Sequence, residues 1–192
     1  DIYEAKDKPS GLTVYGIAPY KITNEEVLKE VEYLQKQLGF NIKYSNAINS
    51  KKELAVLETN YDAIFIGVGL GKTRVLGLDG EDKEGVVGAV EFIEELRMKQ
   101  HKVNVPKNVV VLGGGNTAMD AASEAARMGA RKTVLAYRNS RKKMGAYSFE
   151  YDLAISAGVD SLFNVTPIAI TGNSKVEGVR FAKTELVDGK LK

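Results

Sequence analysis

Apolar positions along the chain switch between a helical and an extended spacing, and the switches mark out the elements. Asp1-Ile2-Tyr3-Glu4 reads as the end of a strand, and residues 5–20, rich in Gly and Pro, read as a loop. Thr23 then suits a helix N-cap with Glu26 completing a capping box, while Val27, Val31, Leu34 and Leu38 recur on one face until Gly39 stops the helix. Phe40–Tyr44 and Ala63–Gly67 read as short strands with a weaker helix, Lys51–Leu57, between them. This alternation predicts a parallel sheet.

The second half repeats the alternation. A turn-rich connection, Gly77–Gly85, leads to a helix over Val86–Arg97 with Val86, Val90, Ile93 and Leu96 on one side. The polar stretch Lys99–Lys107 marks the organisational break, and the helix before it is assigned to the second domain, giving residues 1–84 and 85–192. Asn108–Leu112 is apolar and β-branched without alternation, as in a parallel strand buried on both faces. Ala118–Met128 reads as a helix ended by Gly129, Thr133–Tyr137 as the returning strand and Ser148–Ala157 as a further helix followed by a strand. Ile168–Thr171 and Val176–Glu185, separated by Gly172-Asn173-Ser174-Lys175, read as an antiparallel hairpin.

The first strand of this half runs directly into Gly113-Gly114-Gly115-Asn116-Thr117-Ala118. In the spacing Gly113-x-Gly115-x-x-Ala118, Gly113 permits a tight turn, Gly115 lets backbone approach a pyrophosphate, and Ala118 keeps the helix close to the strand. The helix N-terminus adds free N–H groups and positive partial charge. A glycine-rich turn alone is a weak signal, but strand, turn, helix and returning strand together point to a dinucleotide site in Val109–Arg138. The expected class is therefore α/β, with a Rossmann-like domain made of a parallel sheet plus an antiparallel hairpin.

The returning strand ends in Tyr137-Arg138-Asn139-Ser140-Arg141-Lys142-Lys143, with no acid to grip a ribose diol. Arg138, with Arg141 and Lys142, suits a 2′-phosphate and hence NADPH, although NADH stays open and a solvated basic loop is the alternative, weighing more for Arg141 and Lys142 than for Arg138. The missing acid also disfavours a methyltransferase.

Composition narrows the rest. The 27 Lys and Arg balance 25 Asp and Glu, which disfavours nucleic acid as a partner, and no apolar run approaches a membrane span, so a cytoplasmic setting is expected. The chain has no cysteine, so disulfides, thiolate-bound zinc and iron–sulfur ligation lie outside it. No residue stands out as catalytic or metal-ligating: His101 sits in a polar connection, and Glu25-Glu26 and Glu94-Glu95 read as solvated helix positions. A non-catalytic dinucleotide-sensing or assembly module is the alternative reading.

These residues resemble a known family over nearly the whole chain: the FAD- and NAD(P)H-dependent small (beta) subunit of glutamate synthase and the related reductase part of dihydropyrimidine dehydrogenases. Glu4-Ala5 with Lys8-Pro9-Ser10-Gly11-Leu12 is similar to the family's second FAD strand, Tyr15–Lys21 to its next signature, and Phe65–Gly71 to its strand end. Gly80-Glu81-Asp82, Gly113–Asp120 and Tyr137-Arg138 complete the series. Ser10 stands where Gly is usual and Asn139 where a second Arg is usual.

The resemblance implies that Glu4 holds the FAD ribose, with Gly11 and Leu12 beside the cofactor. It implies that residues 1–84 are part of an FAD-binding domain lacking its first βα unit and its C-terminal return. The implied parent passes hydride from NAD(P)H to FAD and electrons onward to an iron–sulfur or large catalytic subunit or domain, while the isolated chain is expected to be inactive.

Overall fold

The computed structural model describes residues 1–99, 102–187 and 190–191, so that His101 lies outside the described residues. The chain divides into two compact units, Asp1–Gly71 and Lys72–Lys192.

In the first unit, β1 (Ile2–Tyr3) pairs in parallel with β2 (Ile42–Lys43). The expected loop before the first long helix contains a short helix, α1 (Leu12–Tyr15). Flanking glycines concealed it, and its anchors are tertiary: Val14 and Tyr15 are buried, and the Tyr15 hydroxyl donates to Asp7 Oδ1 at 2.7 Å while accepting from Lys8 N at 3.0 Å. The helix α2 (Asn24–Leu38) begins at the expected capping box, with Glu26 N donating to Thr23 Oγ1 at 3.2 Å and Thr23 N to Glu26 Oε2 at 2.9 Å. Gly39 ends it in the left-handed region. Of the apolar face expected on this helix, Val27 is buried whereas Leu34 and Leu38 stay exposed.

Helix α3 (Lys51–Asn60) is capped by Ser50 and runs past the expected Leu57. Ala63–Gly67 forms no strand: Phe65 is 94% exposed and Ile66 69%. Apolar, β-branched residues favour an extended chain, but a strand exists only against a hydrogen-bonding neighbour, and the described residues supply none here.

In the second unit, α4 (Ala89–Lys99) starts three residues after Val86, whose amide is held by Lys83 O in a turn at 3.1 Å. The parallel sheet of β3 (Asn108–Leu112), β4 (Lys132–Tyr137) and β5 (Val159–Phe163) has the order β3-β4-β5. β3 is therefore an edge strand among the described residues, and Val110 is 42% exposed, against the expectation of burial on both faces. The central β4 carries the fully buried Leu135 and Thr133 instead.

Helix α5 (Asn116–Arg127) lies on this sheet beside α6 (Ser148–Ser156), and Met119, Ala122, Leu135, Ala154 and Val159 form the core between them. The hairpin of β6 (Val165–Thr171) and β7 (Gly178–Lys183) is antiparallel, as expected. It starts earlier than Ile168 because Pro167, a residue that masks strand patterns, sits at a register shift. A short pair, β8 (Leu186–Val187) and β9 (Lys190–Leu191), follows. The fold is α/β, a parallel sheet with an antiparallel hairpin.

Two helix caps tie stability to pH. Glu26 is held below the ordinary glutamate value of 4.5 first by the Thr23 hydroxyl, and Glu53 first by the Asn49 amide. Because the folded values are depressed, their contribution is complete above 4.5 and fades as pH falls through the folded values. Thermal unfolding followed by circular dichroism should show Tm declining below about pH 4.5, with a shallower decline in a Glu26→Gln, Glu53→Gln double variant.

Candidate functional site

β3 ends where α5 begins, and three glycines make the passage. Gly113, at φ 144°, turns the chain while its N–H still donates to Ala136 O at 3.0 Å, so the turn stays tied to the sheet. A Cβ on Gly114 would lie 2.4 Å from Tyr137 Cε2, a contact no packed structure tolerates. A Cβ on Gly115 would meet no atom within 4 Å, and its backbone is extended at φ −100°. Gly114 is thus required by the protein itself. Gly115 keeps a space open that the protein does not use.

No side chain caps α5, which leaves its first N–H groups without a side-chain acceptor. Of the remaining motif residues, Asn116 and Thr117 form the first turn, and Ala118 is buried with its Cβ 3.2 Å from the Cβ position of Gly113. Asn116 Oδ1 accepts the Tyr147 amide at 3.0 Å, and Gly114 O accepts the Ala146 amide at 3.0 Å, so the start of α6 braces the turn.

The turn opens onto a cleft of about 380 Å³ at the C-terminal ends of β3 and β4. Its lining includes Gly113, Gly114, Tyr137 and Arg138 on one side, and Leu76, Leu78, Val165 and Pro167 as apolar walls. In open α/β sheets this end is where ligands bind. Arg138 is held by its backbone, whose carbonyl accepts the Thr184 hydroxyl at 2.6 Å. Arg138 itself is exposed and is the charged residue among those lining the cleft.

Arg141 and Lys142 are not brought there. The Arg141 guanidinium donates to Asp152 Oδ1 at 2.8 Å and lies 4.2 Å from the Tyr151 ring centroid, an engagement within its own neighbourhood. Lys142 sits exposed in the 3₁₀ turn Arg141–Lys143.

In the first unit, Glu4 borders a smaller cavity of about 160 Å³ with Ile2, Pro9, Ser10, Val31, Phe40 and Ile42. One Glu4 oxygen accepts the Lys6 amide at 2.9 Å. Gly11 and Leu12 start α1 nearby in sequence but are not part of that lining. Ser10 adopts φ 74°, the left-handed region that favours the glycine usual at this position in the resembled family. Among the described residues no cluster of His, Asp or Glu could hold a metal, and no helix is long and apolar enough to cross a membrane.

The model of the pyridine nucleotide-disulphide oxidoreductase family matches residues 3–191. The chain belongs to this family. Within it, the chain is 32% identical over 197 residues to the glutamate synthase [NADPH] small chain of Escherichia coli, covering 96% of this chain and 42% of that one. It is 34% identical over 192 residues to the NADPH-Fe(3+) oxidoreductase subunit beta of Geobacter sulfurreducens, covering 96% of this chain and 28% of that one. The NAD-dependent dihydropyrimidine dehydrogenase subunit PreT of Salmonella typhimurium matches at 28% identity, over 90% of this chain and 41% of its own length. The chain thus spans less than half the length of these relatives.

Among solved structures, FprA of Mycobacterium tuberculosis in complex with NADPH superposes with a TM-score of 0.76 at 20% identity, covering 99% of this chain and 58% of that one. That likeness establishes the shared fold.

Two residues beside the cleft are not marked by the glycine motif. Tyr137 reads as the last strand residue, yet its ring fixes the turn by excluding a side chain at Gly114, and its hydroxyl donates to Lys143 O at 2.8 Å. Glu81, which the sequence marks only through the family resemblance, gathers backbone amides beside the cleft, for which the short spacing Leu76-Gly77-Leu78-Asp79-Gly80-Glu81 is the available signal. The clash at Gly114 predicts that Gly114→Ala destabilises the chain by about 1–3 kcal/mol through overpacking. Adding Tyr137→Ala should return part of that loss, which urea denaturation of the two single variants and the double variant measures as a favourable coupling.

Proposed function

We propose that the chain is the nicotinamide-dinucleotide-binding portion, with part of an FAD-binding domain, of a flavin-dependent oxidoreductase. One observation carries this reading: Gly115 leaves open space before the uncapped N-terminus of α5, directly after Gly113 and Gly114, which line a cleft that Arg138 also lines. Such a cradle fits a pyrophosphate on the amides of Gly115, Asn116 and Thr117, and a 2′-phosphate on Arg138. NADPH is thereby the favoured ligand, with NADH the alternative. Arg141 and Lys142 contribute positive potential at longer range than a direct contact.

In the first unit, Glu4 on an otherwise largely apolar cavity fits the adenosine ribose of FAD, its carboxylate accepting from the diol. Gly11 and Leu12 would serve by backbone at the edge of that site. The proposed functional division, residues 1–84 for FAD and 85–192 for the dinucleotide, follows the ligands, whereas packing groups residues 72–84 with the second unit.

When bound, the nicotinamide supplies a hydride and the flavin accepts it. The chain's residues bind, orient and exclude water, and no side chain of the cleft is needed as acid or base. Relatives named as a small chain and a subunit beta support an onward partner, a large catalytic or iron–sulfur subunit, since this chain has no cysteine of its own for a cluster. A cytoplasmic location and inactivity of the chain on its own belong to the same proposal.

Calorimetric titration with NADPH and NADH tests the binding claim. Heat of binding is expected with NADPH, and silence with both nucleotides sinks the reading. Gly115→Ala separates site from scaffold: its Cβ meets nothing in the protein, so Tm should hold while NADPH affinity drops at least tenfold, equivalent to about 1.4 kcal/mol. Arg138→Ala should weaken NADPH by about 1.5–3 kcal/mol, the usual worth of a hydrogen bond to a charged group, and leave NADH nearly unchanged.

A further inference from the structure

Part of the cleft's apolar lining is built from residues with little to hold them. Leu76 and Leu78 line the cleft, yet Leu76 is 56% exposed and the neighbouring Val75 80% exposed. Residues 72–78 form no helix or strand. An exposed segment without ladder bonds loses its conformation to chain entropy unless something else fixes it.

A single carboxylate does so. Glu81 Oε2 accepts from Gly77 N at 2.7 Å, Leu76 N at 3.1 Å and Leu78 N at 3.2 Å, and Oε1 accepts from Leu76 N at 2.8 Å. These bonds hold Glu81 below the ordinary carboxylate value, the Leu76 amide contributing most. Glu81 itself is fixed from behind. Its amide donates to Leu78 O at 3.2 Å, Asp79 O accepts the Ile170 amide at 2.9 Å, and a Cβ on Gly80 would lie 2.4 Å from Ile170 O, so the backbone before Glu81 rests directly on β6.

Upstream, Thr73 is tethered in the same way: its hydroxyl donates to Glu91 Oε2 at 2.6 Å, its amide to Glu91 Oε1 at 3.2 Å, and Thr73 Oγ1 accepts the Val90 amide at 3.1 Å. The segment is therefore pinned at both ends, and among the described residues Glu81 is the side chain that bonds the amides of the part lining the cleft.

We propose that Glu81 is a positioning residue for the nucleotide: by gathering the amides of Leu76, Gly77 and Leu78 it fixes the apolar wall against which a bound pyridine dinucleotide packs. The inference rests on the functional reading above. Glu81 touches no ligand in this role and acts through Leu76 and Leu78. An unanchored wall leaves the cleft complete for only a fraction of the time, and apparent affinity falls by that fraction.

The test compares the unsubstituted chain with Glu81→Ala and Glu81→Gln. NADPH affinity is measured by calorimetry, Tm by thermal unfolding, and the amides of residues 76–78 by NMR shift and hydrogen exchange. Glu81→Ala is expected to weaken NADPH about tenfold, as for a wall formed one tenth of the time, with loss of protection at those amides and little change in Tm. Glu81→Gln keeps one acceptor oxygen and should fall between, a partial rescue that a merely structural role would not produce. Should Glu81→Ala fail to fold, Leu78→Ser removes the wall directly and should reproduce the loss.

Undiminished NADPH affinity in Glu81→Ala, or a loss that tracks Tm without change at residues 76–78, overturns this inference while leaving the functional reading standing. Absence of NADPH binding in the unsubstituted chain overturns both.

Discussion

The close seating of α5 on the β3–β4 edge is the constraint from which the rest of the second unit follows. A helix can lie near a sheet only if its facing side chains are small, and Ala118, Ala121, Ala122, Ser123 and Ala125 are all buried here. The approach forces the connection to be tight, which demands glycine at 113. It presses the turn against Tyr137, which demands glycine at 114. Once those two are fixed, the N-terminus of α5 points outward at the C-terminal ends of the strands with Gly115 bare before it. The open turn proposed as a dinucleotide cradle is thus less an added feature than what remains when this helix is packed this close. On its far side α5 is held by a different means. Arg97 of α4 is 4% exposed and Glu124 of α5 6%, and the Glu124 charge opposes the desolvation that lowers the Arg97 pKa.

Carboxylates organise backbone repeatedly where apolar burial is thin. Glu26 and Glu53 reach back over helix starts, Glu91 takes the Thr73 hydroxyl and amide, and Glu81 collects three consecutive amides. Each acts as an acceptor-only group satisfying donors that secondary structure leaves over. All four pKa values are lowered, although at Glu91 burial is the largest influence and works in the opposite direction. The chemistry is common to all; location decides whether it caps a helix or shapes a binding wall.

The second unit was legible in the sequence because its signals are local. A β-branched run, a glycine turn, a small-residue helix and a returning strand occur consecutively, and each constrains the next over a few residues. Arg138 was legible for the same reason, being one residue beyond the strand. What stayed hidden depends on contacts distant in sequence. Gly114 needs Tyr137, 23 positions on. The wall of Leu76 and Leu78 meets Val165 and Pro167 across a still longer separation. Arg141 and Lys142 illustrate the converse: the sequence groups four cations near one strand end, but Asp152 and Tyr151 claim Arg141, and only geometry could divide the cluster.

The first unit misled for a related reason. Apolar periodicity states which residues tend to be extended or helical, whereas burial requires a surface to receive them. Val31, Leu34 and Leu38 follow the helical period as expected, and α2 forms, because its capping box and left-handed C-terminus are local. Its apolar face nevertheless stays mostly uncovered, and Phe65, Val68 and Leu70 are about as exposed as apolar residues can be. Exposed apolar residues in such number mark an interaction surface or an unfilled packing site. The second unit carries the cluster around Met119 and Leu135, so the proposed dinucleotide site rests on a core of its own. Glu4 and the cavity it borders rest on a two-stranded sheet and a half-covered helix. A pair of strands is marginally stable by itself. The cofactor contacts proposed for the first unit therefore have a thinner packed support than those proposed for the second.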